Sequence, residues 1–136
     1  MPEITIPANL DRLGAVFEFI GGAMQNAGIN AKHQNNINVA VEEIFLNIAK
    51  YAYPEKEGAV TIKLPVFPGK FSVEFSDGGI PYNPIAKSDP DMSLSAAERE
   101  IGGLGIFMAK KMMDHVEYRY ENNMNILLLQ KDIDTL

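Results

Sequence analysis

The sequence predicts a two-layer α/β (α+β) sandwich, in which a mostly antiparallel, mixed sheet is covered on one face by three helices. Two observations lead to this prediction. The 136 residues suit one domain with a substantial buried core. Segments with alternating apolar residues and segments with helical periodicity follow one another in the order β-α-α-β-β-loop-α-β-β. Hairpin strands mixed with helices are typical of two packed layers.

The N-terminal part of the chain is predicted to contain an edge strand and a first helix. Residues Glu3 to Ile6 alternate between polar and apolar, and Pro7 stops the strand because it cannot donate a backbone hydrogen bond. Asn9 or Asp11 can cap a helix that runs to about Ala27, where a glycine follows. We expect the buried side of this helix to consist of Leu10, Leu13, Val16, Phe17 and Ile20.

A second helix is predicted from Ala31 to Ala52, and it carries both an apolar stripe and a column of polar residues. Tyr53-Pro54 ends it, because a residue before proline avoids the helical conformation. The stripe would bury Ile37, Ala40, Val41, Ile44, Phe45, Ile48 and Ala52. Beside that stripe, at the margin of the helix–sheet contact, the same periodicity places a polar column of Asn36, Glu43, Asn47 and Lys50.

The rest of the chain is predicted to add four strands, a long loop and a third helix. The strands are Ala59–Val66, Phe71–Ser76, Val116–Tyr120 and Asn125–Gln130, and the helix is Gly103–Met113. Pro68-Gly69 suits the hairpin between the first two of these strands. Residues 83–101 contain few large apolar side chains and are predicted to be a loop, with a helical turn around residues 96–100. Because compact domains rarely keep so long a loop without using it, we expect a mobile lid.

Composition and charge exclude several classes of protein. The net charge of −6 comes from 18 acidic and 12 basic residues with no basic cluster, which argues against direct binding of nucleic acid. The absence of cysteine excludes disulfides and thiolate metal sites, and the two widely separated histidines are expected at the surface. No apolar run is long enough to cross a membrane and no leader is recognisable, so a single cytoplasmic domain over residues 1–136 is predicted.

The polar column of the second helix offers chemistry that a nucleotide site needs. Asn47 can give a side-chain oxygen to Mg²⁺, which prefers oxygen ligands and keeps several waters. Glu43, one turn earlier, can accept a proton or orient an attacking hydroxyl group. Lys50 can meet a phosphate as a point charge. Taken alone, the same spacing also fits ordinary solvated helix charges, with Asn47 as a filler.

Two glycine-containing segments could complete such a site. Asp77 follows a predicted strand and can accept a hydrogen bond from an amino group such as that of adenine, while Gly78 and Gly79 allow a tight turn. The segment Gly102–Gly105 leads into the third helix, where free backbone N–H groups and the helix dipole favour an anion. Each segment has a simpler interpretation, namely a common Asp-Gly turn and close helix–sheet packing, respectively.

In order and spacing, these segments resemble the ATPase domain of the GHKL family, which DNA gyrase, heat-shock chaperones, histidine kinases and mismatch-repair proteins share. The helix from Glu43 to Asn47 looks like the N-box of that family. Asp77–Pro81 looks like its first glycine box and Gly102–Gly105 like its second. Segments 47–54, 77–84 and 100–106 look like one branch, the bacterial anti-sigma factors that are also serine/threonine protein kinases. The resemblance covers essentially the whole chain and implies a Bergerat-type ATP-binding fold.

The resemblance implies a set of ligands and a role for each residue. Glu43 would be the catalytic base, Asn47 the Mg²⁺ ligand and Asp77 the contact to adenine. The γ-phosphate of ATP would pass to a serine of a STAS-type anti-anti-sigma protein, which in its unphosphorylated form competes with a sigma factor for the kinase. Under a lid of residues 83–101, the nucleotide would also meet Lys50, Gly79, Pro81, Gly102, Gly103, Leu104 and Gly105.

Two departures from the family pattern leave alternatives open. Pro81 stands where many relatives have a second glycine. No arginine lies next to Gly102-Gly103, so a cation for the transferred phosphate would have to come from Arg99, Lys50 or Lys110. One alternative is therefore a nucleotide-controlled protein-binding module that transfers no phosphate. Another is an ATPase that drives its own opening and closing.

A homodimer through the N-terminal edge strand is also expected.

Overall fold

The computed structural model describes residues 1–86 and 103–133, which form a five-stranded sheet and three α-helices. The strands are β1 (Glu3–Pro7), β2 (Ala59–Lys63), β3 (Lys70–Asp77), β4 (His115–Glu121) and β5 (Met124–Asp132). The helices are α1 (Leu13–Asn26), α2 (Ala31–Tyr51) and α3 (Gly103–Met112). The strand order is β1-β2-β3-β5-β4, and all four pairings are antiparallel. The predicted fold of three helices on a largely antiparallel sheet is confirmed.

The core lies between the helices and one face of the sheet. On β3, Val73 and Phe75 are buried, while Glu74 and Ser76 between and after them keep more exposure, as expected for a strand with one covered face. The apolar stripe predicted for α2 is confirmed, because every member is at most 8% exposed. This stripe fixes the rotation of α2 about its axis and thereby the direction of its polar column.

The start of α1 differs from the prediction. Asn9 caps a short 3₁₀ turn, Leu10–Arg12, and its side-chain oxygen accepts a hydrogen bond from the Asp11 backbone N–H at 2.9 Å. The prediction that Leu10 is buried is wrong: it is 50% exposed, because it lies in this turn and precedes the helix that packs on the sheet. Val16 and Ile20 are buried as predicted.

Turn chemistry sets the ends of the strands. The predicted strand Ala59–Val66 is too long, since β2 ends at Lys63 and Val66 is 86% exposed. Pro65, which has no N–H group to pair, explains the early end. Gly69 has a φ of +73° in the predicted hairpin. Two residues with positive φ, Asn122 and Asn123, connect β4 to β5, as tight hairpin turns require.

The third helix packs against α2, and its C-terminal end is tied to β5. The Lys131 ammonium group is largely buried and donates a hydrogen bond to the Met112 carbonyl oxygen at 2.8 Å, so a positive charge meets the negative end of the helix dipole. Of the predicted lid, residues 84–86 form a 3₁₀ turn, while residues 87–101, with the helical turn expected around 96–100, lie outside the described residues. Within the described ranges, no helix is long and apolar enough to cross a membrane.

Candidate functional site

The strand β3 ends at Asp77, whose buried carboxylate organises the turn that follows. Its Oδ1 atom accepts hydrogen bonds from the Gly79 backbone N–H and the Asn125 side-chain amide, both at 3.0 Å. Burial raises the pKa of Asp77, and these two bonds oppose the shift because they favour the charged form. Both bonds end on the same oxygen, so Oδ2 has no partner among the described residues and is left to accept a hydrogen bond from a ligand.

The turn is pressed against the C-terminal end of α2. The Ile80 N–H donates a hydrogen bond to the Ala52 carbonyl oxygen at 3.0 Å. A Cβ atom on Gly79 would lie 2.3 Å from that same oxygen, whereas one on Gly78 would meet nothing closer than 3.6 Å. Neither glycine has a positive φ, so Gly79 is required for close approach and not for a left-handed backbone. The turn is therefore fixed to the helix that carries Glu43 and Asn47.

Tyr53 links the end of α2 to both the turn and β2. Its hydroxyl group donates a hydrogen bond to the Ala59 carbonyl oxygen at 2.6 Å and accepts one from the Gly78 N–H at 2.9 Å. Burial raises the pKa of the Tyr53 hydroxyl group. Gly58 is required beside the ring, since a Cβ there would lie 2.2 Å from it. From the sequence, Tyr53 was expected only to help end α2, and its contacts to Ala59 and Gly78 were not predicted.

Asn125 is a second residue of the site that was not predicted from the sequence. It lies on β5 directly opposite Asp77 and is 7% exposed. In the sequence, Asn125 occupies the buried phase of a strand whose next inward residues are Leu127 and Leu129. A polar side chain at such a position was the available signal, because a buried amide needs hydrogen-bond partners.

The polar column of α2 is only partly covered. Asn36, Glu43 and Asn47 are half-buried, as predicted for the margin of the helix–sheet contact, and Lys50 is exposed. In the described part of the chain, none of these four side chains makes a hydrogen bond or an ion pair. Among all the residues that the structure describes, there is no group of three or more His, Asp or Glu side chains that could hold a metal ion. The column therefore offers oxygen and nitrogen atoms that are available to a bound molecule.

The Asp77 turn and α3 both contact α2, the helix that carries the polar column. The Asp77 turn contacts its C-terminal end, and α3, which begins with Gly103, Leu104 and Gly105, packs along it. Pro81 is exposed just after the turn. Gly102, the first residue of the predicted second glycine segment, lies outside the described residues. The described arrangement has a buried acceptor at one end of α2, a half-buried carboxylate and amide along it, and a glycine-rich helix start on a neighbouring helix.

Comparison with known proteins places this arrangement in a family. Residues 6–131 match a family model described as the histidine kinase-like ATPase domain. The chain is 25% identical to the serine-protein kinase RsbW of Listeria monocytogenes over 114 residues, which are 80% of this chain and 73% of that protein. It is 22% identical to the serine-protein kinase RsbW of Bacillus mycoides over 130 residues, which are 93% of this chain and 81% of that protein.

A solved structure shows the same fold. The crystal structure of the RsbU and RsbW domains of a Mycobacterium tuberculosis protein matches 100% of this chain with a TM-score of 0.64 and 14% sequence identity. This chain spans 34% of that solved chain. At this identity the match establishes the fold alone.

Proposed function

This chain belongs to the histidine kinase-like ATPase family, and we propose that it is an ATP- and Mg²⁺-dependent serine/threonine protein kinase that acts as an anti-sigma factor. Its substrate would be a serine on a STAS-type anti-anti-sigma protein. The observation that carries the proposal is the Asp77 turn, in which a buried carboxylate keeps one oxygen without a partner among the described residues, beside the helix of Glu43 and Asn47. The relatives named serine-protein kinases support a serine acceptor.

Base recognition is assigned to Asp77. Its Oδ2 atom would accept a hydrogen bond from the 6-amino group of adenine, and Gly79 and Pro81 would lie beside the ring. A hydrogen bond to a charged group in a buried place is worth more than one in water. The buried position of Asp77 therefore suits a residue that selects the base.

Phosphate binding is assigned to the start of α3 and to Lys50. Gly102, Gly103, Leu104 and Gly105 would present backbone N–H groups to the phosphates, helped by the helix dipole. Lys50 is exposed on the helix that α3 packs against, and it would approach the phosphates as a point charge. Lys110 is a weaker candidate for the missing cation because it lies in the last turn of α3, about two turns from the glycines.

The residues fit a magnesium ion that is shared with the nucleotide. Asn47 offers an amide oxygen from a half-buried position, and this oxygen has no partner in residues 1–86 and 103–133. Mg²⁺ is commonly held by one or two protein oxygens together with phosphate oxygens and waters. When bound, the ion would neutralise charge on the β- and γ-phosphates. No cage of protein ligands is needed for this role.

Glu43 is assigned the role of general base. It would accept the proton of the acceptor serine hydroxyl group as the serine oxygen forms a bond to the γ-phosphorus of ATP. The bond from that phosphorus to the bridging oxygen breaks, and ADP leaves. The half-buried position of Glu43, one turn from Asn47, is compatible with reaching a hydroxyl group in line with the phosphates.

The test compares two neighbouring glutamates. Wild type, Glu43→Ala and Glu42→Ala are each incubated with ATP, Mg²⁺ and the partner protein, and phosphoserine is measured by mass spectrometry. We expect Glu43→Ala to lower the rate about 100-fold or more, as loss of a general base does, while ATP affinity stays within about threefold. Glu42 is also half-buried but lies outside the polar column, so Glu42→Ala should keep the wild-type rate. Normal transfer by Glu43→Ala would show that the base is another residue.

The second candidate function is a nucleotide-controlled protein-binding module. The sequence observation that favours it is Ile101 directly before Gly102-Gly103, a position where an arginine could have stabilised the transferred phosphate. Intact ATP after prolonged incubation with the partner would support this function against the kinase. ATP turnover without any acceptor protein would instead indicate an ATPase that drives its own closure.

Assembly and location are part of the same proposal. The strand β1 lies at one edge of the sheet, as predicted, so one side of its backbone has no strand partner within the described part of the chain. We propose that it mediates a homodimer, that a sigma factor and the anti-anti-sigma protein compete for the chain, and that the protein works in the cytoplasm without direct contact with nucleic acid or membrane.

A further inference from the structure

The side chain of Asn125 is a fully used hydrogen-bonding centre. Its amide nitrogen donates to Asp77 Oδ1 at 3.0 Å and to the Ile80 carbonyl oxygen at 2.9 Å. Its Oδ1 atom accepts from the Tyr82 backbone N–H at 3.1 Å and from the Tyr118 hydroxyl group. A primary amide has two donors and two acceptor lone pairs, so these four bonds use its capacity. Asn125 has nothing left to offer a ligand directly.

The same bonds decide which atom of Asp77 is available. Asn125 and the Gly79 N–H both bind Oδ1, which leaves Oδ2 without a partner among the described residues. The buried polar side-chain atoms without a partner in those residues are His33 Nδ1 and Asn38 Oδ1, so Oδ2 keeps some access to solvent. Asn125 also holds both sides of the turn, because its partners Ile80 and Tyr82 follow Asp77 in the chain.

We infer that Asn125 is a positioning residue that directs Asp77 Oδ2 toward the base and so sets a preference for purines with a 6-amino group. This inference rests on the proposed function, since it requires that the site binds a purine nucleoside triphosphate. A carboxylate oxygen accepts a hydrogen bond from an amino group and has nothing to donate. When the carboxylate is held in one orientation, its Oδ2 atom can form a short, charge-assisted hydrogen bond with the amino group. Without Asn125 the carboxylate can rotate and the turn loses its anchor.

The test measures base preference as a ratio of dissociation constants. ATP is compared with purine riboside 5′-triphosphate, which carries hydrogen in place of the 6-amino group. A hydrogen bond to a charged group corresponds to roughly a tenfold to hundredfold preference for ATP in the wild type. We expect Asn125→Ala to bring this ratio below about threefold, by weakening ATP binding much more than binding of the analogue. A purely structural role would weaken both ligands alike and leave the ratio unchanged.

Two further variants keep the test decisive. Tyr118→Phe deletes one hydroxyl group that bonds to Asn125 Oδ1, and it should lower the ratio about threefold even if Asn125→Ala does not fold. Gln130→Ala is the matched control: Gln130 is another 7% exposed amide on β5, it donates to Ser72 Oγ at 3.2 Å, and it lies away from the turn. This control should keep the wild-type ratio.

The outcomes separate the inference from the proposed function. A wild-type ratio in Asn125→Ala, or in Tyr118→Phe where the first variant does not fold, overturns the positioning role while ATP binding stands. Equal binding of the two triphosphates by the wild type also overturns it, because Asp77 would then not contact the amino group. Failure of the wild type to bind either compound overturns the proposed function and the inference together.

Discussion

The Asp77 turn and the polar column of α2 border the same proposed site but are held in place by different means. The carboxylate of Asp77 is bound by Gly79 and Asn125, and the turn is tied to Tyr53 and Ala52. In contrast, Glu43, Asn47 and Lys50 make no hydrogen bond or ion pair within the described residues and are placed only by the rotation of α2. One half of the site is fixed by polar contacts before a ligand arrives, and the other half is not.

This difference has a physical meaning. A ligand that binds to groups already held in one conformation loses less entropy than a ligand that must order them. The turn therefore suits the recognition of a rigid base, while the column keeps side-chain freedom for a metal ion and for phosphates that change during transfer. Substitutions in the turn should alter folding and base recognition, whereas substitutions in the column should alter ligand chemistry alone.

The largest effect on stability is expected from Gly79→Ala. The new Cβ atom would lie 2.3 Å from the Ala52 carbonyl oxygen, so the turn or the end of α2 must move. We expect the free energy of unfolding, measured by urea denaturation, to fall by about 1–3 kcal/mol, as overpacking in a core does, and ATP binding to weaken. Gly78→Ala is the control, because its Cβ would be 3.6 Å from Met124 Sδ, an ordinary contact. Equal losses in both variants would contradict the role given to the Ala52 contact.

The next largest effect is expected from Asp77→Asn, which should weaken ATP binding without lowering folding stability. In Asp77→Asn, the oxygen can still accept from Gly79 and Asn125, but an amide nitrogen replaces Oδ2 and faces the adenine amino group as a second donor. We expect ATP binding, measured by calorimetry, to weaken about tenfold or more. The free energy of unfolding at neutral pH should stay the same or rise, because a buried charge is removed. Unchanged ATP affinity would remove Asp77 from the site.

The pH dependence of the same variant checks the cause. Burial raises the pKa of Asp77 in the folded state above its unfolded value of about 3.9. Since the folded state then binds the proton more tightly than the unfolded state, protonation of Asp77 stabilises the folded wild type. This stabilisation is fully present below the unfolded pKa, and it is lost as the pH rises through the raised pKa of the folded state. The stability advantage of Asp77→Asn should be largest at neutral pH and shrink as the pH falls into this window. A constant advantage across the acid range would show that the burial of charge is not the cause.

The smallest effect on stability is expected in the polar column. Asn47 is half-buried and makes no hydrogen bond within the part of the chain that the structure describes, so Asn47→Ala should change the free energy of unfolding by less than about 0.5 kcal/mol. It should nevertheless abolish the extra thermal stabilisation that ATP with Mg²⁺ gives over ATP with a chelator. Asn36→Ala, in the same column but about three turns away, should keep that extra stabilisation. A normal magnesium response in Asn47→Ala would exclude Asn47 as the ligand.

The same two regions differ in how far the sequence predicts them. Helical periodicity placed all of the buried stripe of α2, and with it the half-buried positions of Glu43 and Asn47. The turn was only partly predicted. Asp77 was expected at the end of a strand, but the bond to Asn125 spans 48 residues and depends on the register between β3 and β5, which no local pattern contains. The errors at Leu10 and at the end of β2 arose where a 3₁₀ turn and Pro65 interrupt a pattern that the apolar residues alone continue.

The positions of Tyr53 and Tyr118 make intrinsic tyrosine fluorescence a probe of the Asp77 turn. The sequence has no tryptophan and five tyrosines. Two of them bond at the Asp77 turn, Tyr82 follows it, and Tyr51 and Tyr120 lie within two residues of the bonded pair. Intrinsic fluorescence therefore comes mainly from tyrosines at the Asp77 turn or within two residues of its partners, so emission can report on this turn in solution without any attached dye.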